Sequence, residues 1–151
     1  MTSTRQQRAL GAYPTTLVGA VALAALALAG CGGGGSEPLS DKVEGKSFTS
    51  TSVEGHDLVP GSTIDLAFKD GTLVAKAGCN TMSAPWTDGE GDGVKWSGPA
   101  ASTMMACDQA LMDQDRWLGE LLTTGMDVVD GDADLTLRSG DVTIALDAAA
   151  A

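Results

Sequence analysis

Acyl-transfer or hydrolytic chemistry needs a base beside its nucleophile, and the only histidine in this chain of 151 residues is His56. A Ser–His–Asp system would have to use it as that base. His56 sits in a polar turn, Glu54-Gly55-His56-Asp57, ahead of Pro60, where a solvated loop side chain is the simpler reading. No GxSxG, SxxK or HExxH occurs, and no glycine loop opens a helix to cradle phosphate. With 20 Asp and Glu, close carboxylate pairs arise by chance, and none carries a pocket motif. Asp88, Glu90, Asp92 and Gly93 follow the start of a calcium loop, but Pro99 stands where its bidentate glutamate belongs. Asp130, Asp132 and Asp134 are spaced similarly and have Leu135 in place of the loop glycine. Both clusters read as solvated turn carboxylates. No Cys-x-x-Cys occurs, so zinc has no ligand set. The residues therefore offer no catalytic group, no metal site and no cofactor site. A net charge of −11, without a Lys/Arg cluster, also excludes nucleic acid as a partner.

The cysteines carry more. Arg5 and Arg8 make a short positive start, and Leu17 to Ala29 is an uncharged apolar run of 13 residues ending before Gly30 and Cys31. That run is short for a bilayer span, which takes about 20 residues, and suits the core of a signal peptide. Leu28-Ala29-Gly30-Cys31 resembles the bacterial lipobox. The resemblance implies cleavage after Gly30, diacylglycerol on the Cys31 sulfur and a further acyl group such as palmitate on the new amine. Such chains anchor stably, at about 0.8 kcal/mol per buried CH₂. Arg5 and Arg8 leave with the signal peptide, so the mature chain keeps 7 basic and 20 acidic residues, net −13. Anionic lipid repels such a chain, which makes the lipid anchor its hold on the membrane. The expected location is the extracytoplasmic face of a cell membrane. Residues 1–30 are read as signal peptide and 31–45 as lipidated Cys with a Gly/Ser tether, starting Gly32-Gly33-Gly34-Gly35-Ser36. One thiol spent on lipid leaves Cys79 and Cys107 in an oxidising compartment, to pair or to stay as two free thiols. A bridge would close a loop of about 29 residues and contribute about 3.5 kcal/mol.

From 46 to 147 the chain reads as short strands, one helix, then strands, with a disordered tail at 148–151. Lys46–Val53 is rich in β-branched residues, and Thr63–Lys69 alternates Ile64, Leu66 and Phe68 against polar neighbours. Asp70-Gly71 is a two-residue hairpin signal leading into Thr72–Ala77. Asn80–Thr87 and Val94–Ser97 are further strands around the loop Asp88–Gly93. Asp108 can cap the N-terminus or favour the dipole of a helix over Asp108–Leu122, whose apolar residues Leu111, Trp117, Leu118, Leu121 and Leu122 recur at helical spacing until Gly125 stops it. Met126–Val129, Asp134–Arg138 and Val142–Leu146 follow, joined by turns at 130–132 and 139–140. Gaps this short exclude crossovers and impose antiparallel pairing. The expected fold is α+β and mostly β: a compact antiparallel sheet or partly closed barrel with a single packed helix.

Ala77-Gly78-Cys79-Asn80, Ser102-Thr103-Met104-Met105-Ala106-Cys107 and the helix directly after them resemble the META domain, the family of the heat-shock lipoprotein HslJ. The match covers about Phe48 to Leu146. It implies a small antiparallel β structure with one helix, and a role in envelope stress and novobiocin tolerance. The acidic stretch Asp88–Gly93 and the segment bearing Trp86 and Trp96 depart from the pattern. Physically, Gly78 permits a close backbone approach beside Cys79, and Asn80 can satisfy backbone groups at a strand end. Thr103 belongs to the second element. Met104 and Met105 fit core or half-covered space better than a ligand site. Trp86 and Trp96 either cover one barrel end or form a patch for a ligand or partner. The function expected is a non-catalytic, membrane-anchored lipoprotein that binds a protein or small molecule. The rival readings are a carrier of an apolar ligand in a β cavity and an inhibitor-like domain docking on an exported protein.

Overall fold

The computed structural model describes residues 37–89 and 91–150. Residues 1–30, read as signal peptide, and Cys31 with the glycine run lie outside those residues. So does Glu90 of the first acidic cluster.

Among the described residues nine strands form one antiparallel sheet: β1 (Ser47–Glu54), β2 (Asp65–Lys69), β3 (Thr72–Lys76), β4 (Thr81–Gly89), β5 (Gly93–Trp96), β6 (Ala101–Ser102), β7 (Met126–Val128), β8 (Leu135–Ser139) and β9 (Val142–Ala148). The order β3-β2-β1-β9-β8-β7-β5-β4 closes on itself through β3–β4, giving an eight-stranded barrel, and β6 continues the line of β5 along the edge of β4 opposite β3, with Trp96 facing Trp86 and Ser102 facing Met82. Closure removes the open edges that would otherwise template aggregation. Local chemistry sets the register. Asp70 and Gly71 both take positive φ, 51° and 71°, as a tight hairpin turn between Lys69 and Thr72 requires. β1 lies between β2 and β9 and pairs with both at Phe48 and Thr49; a bulge between Ser50 and Ser52 on the β9 side bends it just past the end of its β2 pairing.

Alternate residues of each strand point inward. Leu66, Phe68, Leu73, Leu137, Ile144 and Leu146 are at most 1% exposed and fill the barrel. The helix α2 (Gln109–Thr124) adds Leu118 and Leu122, both fully buried. It ends at Gly125, φ 107°, whose N–H donates to the Leu121 carbonyl. Asp108 occupies the cap position of α2 but makes no side-chain capping bond, so its carboxylate acts there only through its charge near the helix start.

The folded unit is longer at both ends than the sequence suggests. Residues expected to be tether form a one-turn helix, α1 (Leu39–Val43), and bury Leu39 and Val43 to 3% and 2% exposure. These two residues are four apart and so share one helix face, which makes them a plug of apolar surface for the barrel. The Gly45 N–H then donates to the Phe68 carbonyl and ties this segment to β2. At the other terminus Ala148 belongs to β9, opposite Phe48, and the Ala149 N–H donates to the Ser47 carbonyl.

Candidate functional site

The two cysteine elements meet on α2. Gly78 packs against the helix so tightly that a Cβ there would lie 2.8 Å from the Leu111 carbonyl oxygen, which explains a glycine at this position. The next residue, Cys79, is disulfide-bonded to Cys107, with Cα atoms 6.1 Å apart. Two consecutive polar residues of α2, Gln114 and Asp115, are 3% and 4% exposed. Buried polar groups demand partners, and both have them. Asp115 accepts from the Cys79 N–H at 3.2 Å, the Asn80 N–H at 2.7 Å and Asn80 Nδ2 at 3.3 Å. Gln114 accepts from the Val59 N–H at 2.6 Å and donates to Ser62 Oγ at 2.8 Å and to the Ala77 carbonyl.

Asn80 passes this hold on to the second element. Its Oδ1 accepts from Thr103 Oγ1 at 3.0 Å and from the Met105 N–H at 2.8 Å. Thr103 is fixed again by β4, since its N–H donates to the Thr81 carbonyl and its hydroxyl accepts from the Thr81 N–H. Thr103, Met105 and Cys107 are thus each tied down. Between and beside them, Met104 is 95% exposed and Met105 59%. These methionines do not fill core or half-covered space as their residue type suggests. The chain holds the backbone still and points the thioethers outward.

A depression of about 590 Å³ opens beside this loop, walled by Met82 of β4, Met104, Met105, Met112 of α2 and Arg116. A second hollow of about 420 Å³ shares Met82, Asp115 and Arg116 with it and continues past Trp96 and Gly119. Arg116 is paired with Asp113 at 2.8 Å.

Trp96 borders the second hollow, but the two tryptophans are not a surface patch. Trp96 is 5% exposed, and Trp86, its cross-strand partner, is half-buried with its ring edge-on to Phe68 at 4.9 Å. Both face inward because β4 and β5 pair in register, so each indole packs on the barrel contents. His56 is half-buried and lies flat on Trp117, ring centroids 3.8 Å apart, rather than standing free in its loop. Among the described residues no group of three or more His, Cys, Asp or Glu could hold a metal ion.

The META domain family model matches residues 41–150, from α1 through β9. The chain belongs to the META domain family. Two solved structures share the fold: an NMR structure 22% identical, covering 71% of this chain and 92% of that one at a TM-score of 0.54, and an NMR structure of a protein from Burkholderia xenovorans, 14% identical, covering 93% and 99% at 0.54. No curated protein matches the chain. In this META domain the residues missed by sequence reasoning are Gln114 and Asp115. A signal for them existed. Leu111, Leu118 and Leu122 define a buried stripe on α2, and positions 114 and 115 fall on it three and four residues from Leu111 and Leu118. Polar side chains there must be buried, and hence must hold something.

Proposed function

We propose that this META-domain protein is a lipid-anchored protein of the extracytoplasmic face that works by binding, not by catalysis, and that its contact face is the methionine-bearing loop Thr103–Cys107. The observation that carries this reading is the pairing of near-complete exposure at Met104 with a backbone fixed on both sides. A backbone already fixed spares the cost of ordering the loop on contact, which is what a binding site gains from pre-organisation, and leaves only side-chain rotamers to be lost. Methionine also adapts its shape to varied partners. Leu66, Phe68, Leu73, Ile144 and Leu146 fill the middle of the barrel, which favours a surface contact over an internal ligand cavity. The anchor is supported by the n-region, the apolar run and the Leu28–Cys31 motif. The likeness to HslJ supports a role in envelope stress.

A deletion strain complemented by variants tests this. Wild type restores tolerance to heat and novobiocin. Cys31→Ser is released from the membrane and fails. Met104→Ser/Met105→Ser stays anchored, folded and disulfide-bonded, yet also fails. Full complementation by the methionine variant would refute the assignment of the contact face.

A further inference from the structure

We propose that the methionine depression is a thioether site for a soft monovalent d¹⁰ cation, Cu(I) or its analogue Ag(I). The chain has six methionines, and Met82, Met104, Met105 and Met112 all line this one hollow. They converge from three separate elements: β4, the loop after β6, and the first turns of α2. Met82 turns its sulfur toward the helix, with Sδ 3.4 Å from where a Gly119 Cβ would stand. Met112 and Arg116 are successive turns of one α2 face, and Arg116 is drawn to Asp113 at 2.8 Å. The other two methionines come from the clamped loop.

Softness of the ligands selects the ion. Neutral thioether sulfur binds Cu(I) well and competes poorly for zinc, calcium or magnesium, which want imidazole, thiolate or oxygen. The competing soft ligands nearby, the two thiols, are tied up as a disulfide. Asp115, the carboxylate of the hollow, is already occupied by the N–H groups of Cys79 and Asn80. A net charge of −11 over the whole sequence raises the local cation concentration around the hollow. Met82, at 7% exposure, packs in the core at the floor of the hollow, but packing does not account for Met104 and Met105, which are 95% and 59% exposed. This inference rests on the binding reading above, and it names the ligand class for the same face.

Thioethers do not titrate, which gives the site a signature. An imidazole site loses metal as its ligands take up protons between about pH 8 and 5.5, and a thioether site does not. The full chain in detergent, with its disulfide intact, is titrated anaerobically with Cu(I) in competition with a chromogenic chelator, and separately with Ag(I) while the methionine methyl resonances are followed. The expected result is one equivalent bound, with affinity unchanged between about pH 5.5 and 8. The methyls of the four groove methionines shift and that of Met126 does not. Met104→Ala/Met105→Ala lowers the affinity at least about tenfold, the low end of what losing even an outer partner costs a metal site. His56→Gln and Met126→Leu leave it unchanged. Failure to hold Cu(I) against the chelator, affinity that follows His56→Gln, or equal binding by the methionine variant each overturns the proposal. If Cu(I) fails while the methionine variant still does not complement, the contact face stands and its partner is an apolar protein segment. If Cu(I) binds and that variant complements fully, the metal site stands and the proposed function falls.

Discussion

Removing the Asp115 carboxylate should unlatch the site from inside. In the native fold it takes three N–H donors, the backbone groups of Cys79 and Asn80 and the Asn80 amide, at 2.7 to 3.3 Å, and it is 4% exposed. Asp115→Ala leaves those donors without an acceptor. An orphaned buried donor costs about 1–3 kcal/mol. Asn80 is only half-buried, so water recovers part of its share, and the sum comes to about 3–5 kcal/mol. At about 4 °C per kcal/mol for a domain of this size, the melting temperature should fall by about 12–20 °C. Asp115→Asn keeps one acceptor oxygen but turns an amide N–H toward a donor, so it should cost about 2–3 kcal/mol. Near-ultraviolet circular dichroism of the oxidised full chain, melted in mild detergent, reads both. A double-mutant cycle with Asn80→Ala should show a coupling of about 1 kcal/mol or more, because the two side chains share one network. A drop of less than about 3 °C for Asp115→Ala would refute the reasoning, since it would mean that these donors find other partners at no cost.

The remaining expectations concern the frame around this latch. Replacing both Cys79 and Cys107 by Ser should cost about 3.5 kcal/mol, seen as the same shift in a wild-type melt on adding reductant. Gly78→Ala should destabilise by about 1–3 kcal/mol, because the atom the new methyl meets first is the Leu111 backbone carbonyl oxygen, which cannot yield as a side chain does. Leu39→Ala should cost about 2–4 kcal/mol if α1 is part of the fold as its 3% exposure states, and a denaturation midpoint equal to wild type would return this segment to the tether. Met104→Ser should leave stability within about 0.5 kcal/mol, as expected for a side chain that touches almost nothing.

Most of the barrel was legible in the chain because its strands obey local rules. Thr63–Lys69 alternates with period two, and Asp70-Gly71 can adopt the two positive φ values that a tight turn needs. Helix α2 announced itself by its apolar stripe and by Gly125. What escaped was set by tertiary contacts. In LSDKV only two apolar residues mark α1, and their burial depends on a barrel end far along the chain. At two residues β6 carries no periodicity at all. Methionine suits a core and a contact face equally, so residue type could not place Met104. Its neighbours place it: Thr103 and Cys107 are fixed by partners at 80, 81 and 79, the Met105 N–H is held by Asn80, and Met104 is left on the outer side of the loop. The inward turn of Trp86 and Trp96 likewise follows from their pairing across β4 and β5, which composition does not report.

Whether loop Thr103–Cys107 is a fixed platform is decided most directly by ¹⁵N relaxation of an oxidised, labelled chain beginning at Gly32. The amides of Thr103, Met104 and Met105 should give order parameters near those of β4, about 0.85. Values below about 0.6 at these residues, with β4 still rigid, would contradict the account: the methionines would then sit on a flexible loop, and their exposure would be incidental.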